Sequence, residues 1–148
     1  MTNSLDISIG DGIAPLTADA QDTLLAIAAQ VARAHPLPED ICLVLVNDDH
    51  MSQLNSIYRN KEGTTDVLSF DLGSTPGQTS SGEIYISQAQ SQRQAIALAV
   101  PPFEELARLL VHGLLHLSGW VHDTPKQLRA MERETEVFLS VIDLEISL

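Results

Sequence analysis

Three of the chain's five histidines fall in one stretch, Leu110-Val111-His112-Gly113-Leu114-Leu115-His116-Leu117-Ser118-Gly119-Trp120-Val121-His122. His112 and His116 are four apart. On a helix that spacing projects both imidazoles from one face, within reach of a single ion. Gly119 stands where helices commonly end in the left-handed conformation, a reversal that returns His122 toward the same point. Two nitrogens from a helix and one from the turn beyond it leave a fourth position open for water, the pattern of a catalytic rather than a structural zinc. The bland alternative is core histidines bonded to their neighbours. In an otherwise apolar helix each ring buried without a partner would cost about 1 to 3 kcal/mol, and a shared ion removes that cost. The reading is one Zn2+ per chain on His112, His116 and His122.

The spacing also matches the long zinc motif of metzincin proteases, H-E-x-x-H-x-x-G-x-x-H, with one departure: Gly113 stands where the glutamate would be. That glutamate is the base that takes a proton from zinc-bound water, so a peptidase would here lack its base unless Glu83 or Glu104 reached the metal from elsewhere.

The elements that must position these rings are legible as patterns. Phe103 to Leu117 opens with Glu104 and Glu105 in its first turn, where carboxylates favour the helix dipole, and continues apolar on nearly every face. Such a helix is buried and central. Thr124-Pro125-Lys126-Gln127 supplies an N-cap, a proline at the first helical position and a capping-box glutamine for a last helix running toward Ile142. Upstream, Leu5 to Ile9 alternates as a strand, and Thr17 caps an amphipathic helix that Pro36 stops. Ile41 to Val46 has the look of a central strand buried on both faces, and Asn47-Asp48-Asp49 caps a helix to about Arg59. Asp66 to Asp71 and Glu83 to Ser87 read as short strands around a Gly- and Ser-rich surface loop expected to be mobile, and Gln88 to Ala99 as a helix. Read along the chain, this is a set of about four short strands and several helices, with the zinc site on a buried central helix and the turn after it.

The length, 148 residues, suits one domain over 1–148. The opening residues lack the basic and apolar segments of a signal peptide and no apolar run reaches bilayer length, so the expectation is a soluble cytoplasmic protein without a membrane partner. A single cysteine, Cys42, has no second thiol with which to share a metal and reads as a buried core thiol. The formal charge of −12 argues against non-specific binding to polyphosphates. A bound dication with a few clustered basic residues still makes one face locally positive. His35, before Pro36, and His50, among capping aspartates, read as surface residues.

Residues His112 through His122 resemble the pattern H-G-x-L-H-L-x-G-[YW]-x-H of the YbeY-type metal-dependent endoribonucleases, described as ribosomal RNA maturation factors. Three further stretches are similar to that family in the same order: Leu54-Asn55-Ser56-Ile57-Tyr58-Arg59-Asn60-Lys61, Thr65-Asp66-Val67-Leu68-Ser69-Phe70 and Gly82-Glu83-Ile84-Tyr85-Ile86-Ser87. The family commonly has proline where Thr64 stands and aspartate where Glu83 stands. The resemblance implies an α+β domain, a small mixed sheet of about four strands packed with helices, with zinc on the three histidines and action on single-stranded RNA, including the 3′ end of small-subunit ribosomal RNA. The ribosomal small subunit is then the partner, and DNA is not expected as one. It also implies that Arg59 lines the active site, in keeping with a guanidinium fork that binds two phosphoryl oxygens as charge develops on them. Lys61 either steers the RNA backbone or is an ordinary exposed lysine. Asp66 and Glu83 either orient a zinc histidine or merely end strands. Met131 either packs beneath the metal or fills core. Besides the endoribonuclease, two readings stand: a zinc metallopeptidase-like hydrolase, and a non-catalytic ribosome-assembly factor whose zinc only stabilises the fold.

Overall fold

The computed structural model describes residues 4–59, with Arg59 by its backbone alone, and 66–148. Four strands, β1 (Ser4–Ile9), β2 (Asp40–Val46), β3 (Val67–Gly73) and β4 (Ser81–Ser87), form one sheet in the order β1-β2-β4-β3. β1, β2 and β4 run parallel, and β3 pairs antiparallel with β4 as a hairpin on the sheet's edge. The mixed sheet and its helices bear out the α+β reading.

The pleat sorts the side chains. Ile41, Leu43 and Leu45 of β2 and Ile84 and Ile86 of β4 point to one face and join the main core. That face is covered by α1 (Ala18–Ala34) and α4 (Pro102–Leu117), with α5 (Pro125–Leu139) beyond α4. On the other face α2 (Asp48–Arg59) covers a smaller cluster of Val46, Met51 and Leu68. α3 (Gln88–Leu98) follows β4 directly and packs on α4.

Local chemistry sets the helix ends. Thr17 accepts from the Ala20 N–H at 3.1 Å to start α1, Asn47 accepts from the His50 N–H at 2.8 Å at the start of α2, and Thr124 with Gln127 closes a capping box on α5. α4 is buried along most of its circumference, by contacts to α1, α3, α5, β3 and β4.

Two expectations change. β2 is not buried on both faces, since Cys42 and Val44 are half-exposed on the outer side, which α2 covers only toward its Val46 end. Cys42 is therefore no core thiol; partial burial and then the Glu83 and Asp6 carboxylates push its pKa up, away from the reactive thiolate. The loop after Gly73 is anchored at its far end: Thr79 donates to Asp40 at 2.8 Å, and Ser80 accepts from the Glu39 and Asp40 N–H groups through its hydroxyl and carbonyl. No helix among the described residues is long and apolar enough to cross a membrane.

Candidate metal centre

α4 delivers His112 and His116 one turn apart, and the way α4 ends delivers His122. Gly119 adopts a φ of +102°, which disfavours any residue with a Cβ. The Gly119 N–H donates to the His116 carbonyl and the Trp120 N–H to the Leu115 carbonyl, both at 3.0 Å, so the helix closes in a Schellman motif. The reversal brings the three imidazole rings together, with centroids 4.7 Å apart for His112 and His116, 4.7 Å for His116 and His122, and 5.2 Å for His112 and His122. One nitrogen from each ring lies within 4.8 Å of the others.

The donor arrangement fits a metal. His116 Nδ1 is 2.9 Å from the Trp120 carbonyl oxygen. A carbonyl only accepts, so Nδ1 carries the proton and Nε2 presents its lone pair. That lone pair points at His112 Nε2, 3.1 Å away. Two nitrogens bound to one tetrahedral zinc at about 2.0 to 2.1 Å would be about 3.3 Å apart, so little movement separates this pair from coordination. His112 and His116 are half-buried, and His122 stands exposed, leaving the site accessible from its side. The group can hold a metal ion.

Burial, then the neighbouring His116 and His122, push the pKa of His112 down to about 4, against a smaller upward pull from Asp66. His112 is thus a neutral ligand in waiting throughout the neutral range. In the metal-free protein the unfolded chain takes up this proton near pH 6.5 and the folded chain only near 4, so between those values unfolding binds a proton and stability must fall as pH falls. The metal-free Tm is therefore expected to drop from pH 6.5 toward 4, and to drop less steeply in His112→Asn. Parallel Tm–pH curves for the two proteins would contradict this assignment.

Beside His112 lies a groove of about 170 Å3 lined also by Asp66, Glu105 and Arg108, and by Glu132 and Thr135 of α5. Asp66 is brought next to the histidines; its Oδ1 accepts from the Val67 N–H and its carbonyl from the Ser87 N–H, pinning the start of β3. Glu83 is not brought there. Its strand neighbours Gly82 and Ile84 face α4, so Glu83 points to the outer face, where it accepts the Tyr85 hydroxyl at 3.1 Å. Burial and Glu83 together push the Tyr85 pKa up to about 12, keeping the phenol protonated. Met131 is fully buried in the main core. The Arg59 side chain, Lys61 and Thr64 lie outside the described residues.

Sequence reasoning missed three participants. The Trp120 carbonyl that orients His116 has no side-chain signature. Glu105 read as a first-turn carboxylate, yet it is only 2% exposed, accepts from Gln94 at 2.7 Å, and has its pKa pushed up chiefly by burial. Gly113 is a packing requirement: a Cβ built there would lie 2.8 Å from Ile84 Cγ2 and 3.1 Å from Ser69 Oγ.

A family model described as Endoribonuclease YbeY matches residues 13–143. Proteins named Endoribonuclease YbeY are similar across much of the chain. The one from Carboxydothermus hydrogenoformans is 36% identical over 132 residues, 86% of this chain and 92% of that protein. The one from Cyanothece sp. is 38% identical over 115 residues, 72% of this chain and 68% of that protein. The solution structure of TM1509 from Thermotoga maritima shares the fold, with a TM-score of 0.60 over 93% of this chain and 90% of that one at 22% identity. With a match that spans both flanks of the histidine turn and three of the four strands behind it, the chain belongs to the Endoribonuclease YbeY family.

Proposed function

We propose that this chain is a metal-dependent endoribonuclease that cuts single-stranded RNA in the cytoplasm as one domain, with Zn2+ on His112, His116 and His122. Its proposed substrate is ribosomal RNA, at the 3′ end of the small-subunit species, met on the ribosomal small subunit. The observation that carries the reading is the convergence of three imidazoles, one tautomer fixed by a backbone carbonyl, in a chain whose named relatives are endoribonucleases. Imidazole donors suit zinc, and they accept copper or nickel as well.

A dication bound there supplies Lewis acidity to a phosphoryl oxygen. The protein's part is placement. His116 and His112 present neutral Nε2 atoms from a rigid helix, and Asp66 sets the local charge beside His112. Arg59 is assigned to the phosphoryl oxygens as their charge grows, and Lys61 to a neighbouring phosphate. His122 is the exposed member of the group, so the RNA backbone is assigned to its side.

Two observations favour the endoribonuclease, one against each of the other readings. Ile84 and Ser69 occupy the room that a peptidase glutamate at position 113 would need. Among the described residues the metal-capable group has three members rather than the four of a closed structural site. The test incubates the purified chain with a single-stranded RNA, its duplex and casein, with and without chelator. Single-stranded RNA alone should be cut, and cutting should stop on chelation and return with added zinc. Cleavage indifferent to chelator would sink the metal-dependent reading, casein cleavage would restore the peptidase, and tightly bound zinc without RNA cleavage would restore the assembly factor.

A further inference from the structure

His35 is not the free surface residue that its place at a helix end suggests. It closes α1, its N–H donating to the Val31 carbonyl at 2.8 Å, with a φ of −137° and a ψ of 148°. The proline that follows favours this extended conformation, which takes the chain off the helix axis. The imidazole meets the Trp120 indole edge-on, centroids 5.5 Å apart and planes at 89°, and meets Phe138 of α5 at 5.9 Å. Its Nε2 lies 2.5 Å from Glu134 Oε2, with side-chain exposures of only 17% and 26%.

Beyond Trp120 stands the metal group. The Trp120 carbonyl takes the His116 Nδ1–H, while its own N–H is bonded to Leu115. Glu134, His35, Trp120 and His116 thus form one unbroken run of contacts from α5, through the end of α1, to a candidate ligand. The turn that carries His122 is otherwise open: Gly119, Val121, His122 and Asp123 are exposed, and Trp120 is the half-buried residue among them. Its backbone is tied to α4 at Gly119 and Trp120 and to α5 where the Asp123 N–H donates to Gln127 at 2.9 Å, and its side-chain packing runs through Trp120, against His35 and the main core.

We propose that His35 is a positioning residue for the metal centre. Oriented by Glu134, its ring stands against the Trp120 indole and holds the Gly119–His122 turn, so that the Trp120 carbonyl keeps the His116 proton on Nδ1 and His122 stays beside the other two rings. The inference rests on the metal reading above and adds to it the residue, 77 positions before the first ligand, that steadies the ligand set. Partners that orient a metal-binding histidine commonly contribute 10- to 100-fold in affinity. Acting through Trp120, His35 should contribute about tenfold, near the lower end of that range.

The test uses the full chain and two readouts besides activity: zinc affinity by chelator competition, and the visible spectrum of the cobalt-loaded protein, which reports ligand geometry. His35→Ala should weaken zinc about tenfold and alter the cobalt spectrum. Glu134→Gln, which keeps an acceptor for the imidazole, should stay within about twofold of the native protein. Leu24→Ala, which opens the fully buried side of α1, should lower the metal-free Tm and leave zinc affinity unchanged. Native affinity in His35→Ala overturns the inference. So does an equal loss in Leu24→Ala, which would make the effect one of general stability. Should His35→Ala not fold, His35→Gln, which keeps a donor for Glu134 but no ring, decides by the same criterion. A native protein that binds no zinc would instead overturn the metal reading, and this inference with it.

Discussion

His116→Ala is expected to abolish stoichiometric zinc binding and to lower cleavage of single-stranded RNA by at least about a thousandfold, a loss of about 4 kcal/mol in transition-state stabilisation. His116 is the best-determined member of the group, because the Trp120 carbonyl fixes its tautomer and His112 Nε2 faces its free lone pair at 3.1 Å. Its removal leaves two rings, one half-buried and held neutral, the other exposed on a turn. Two such donors do not hold a dication against solvent. His50→Ala makes the matched control, since His50 is exposed on the far side of the sheet beside Tyr85 and should change neither metal content nor rate. Metal analysis of the purified variants and initial rates on one RNA check both. Native rates from a metal-free His116→Ala protein would remove the histidine group from the chemistry.

A large effect of a different kind is expected at Gly113. In the metzincin pattern this place belongs to the catalytic glutamate, and Gly113→Glu is the substitution that completes the peptidase motif. Packing forbids it. α4 lies so close to β3 and β4 that a Cβ on residue 113 would come 2.8 Å from Ile84 Cγ2 and 3.1 Å from Ser69 Oγ, whose hydroxyl donates to the Gly113 carbonyl at 3.2 Å. Ile84 is β-branched and fully buried in a central strand, so it cannot swing aside. Gly113→Ala should therefore destabilise by about 1 to 2 kcal/mol, the overpacking strain exceeding the roughly 1 kcal/mol gain in helix propensity. Gly113→Glu adds an unpaired buried charge worth several kcal/mol more and should leave the chain unfolded or insoluble. Thermal unfolding measures the first and recovery of soluble protein the second. A folded Gly113→Glu protein with native Tm would show that α4 does not approach the sheet as described.

Gly113 also illustrates how a motif can be read correctly and explained incompletely. From the chain alone it is a missing base; in three dimensions it is the point of closest approach between the helix bearing the ligands and the sheet that supports it. Glu83 shows the limit of linear proximity. It lies in a strand that touches α4, yet alternation turns it to the opposite face, onto Tyr85. His35 shows the reverse, a residue at a helix end that Glu134, 99 positions away, draws into the neighbourhood of the site.

What the residues determined by themselves is what short-range chemistry controls. The caps at Thr17 and Thr124, the stop at Pro36, the helical spacing of His112 and His116 and the reversal at Gly119 each depend on groups within a few positions along the chain, so each was legible there. The order β1-β2-β4-β3, the half-open outer face at Cys42, the separation of Glu83 from Asp66 and the His35 contact with Trp120 were decided by tertiary structure. Alternation divides a strand's side chains between two faces, but which face is covered, and by what, depends on packing energies shared among elements distant in sequence.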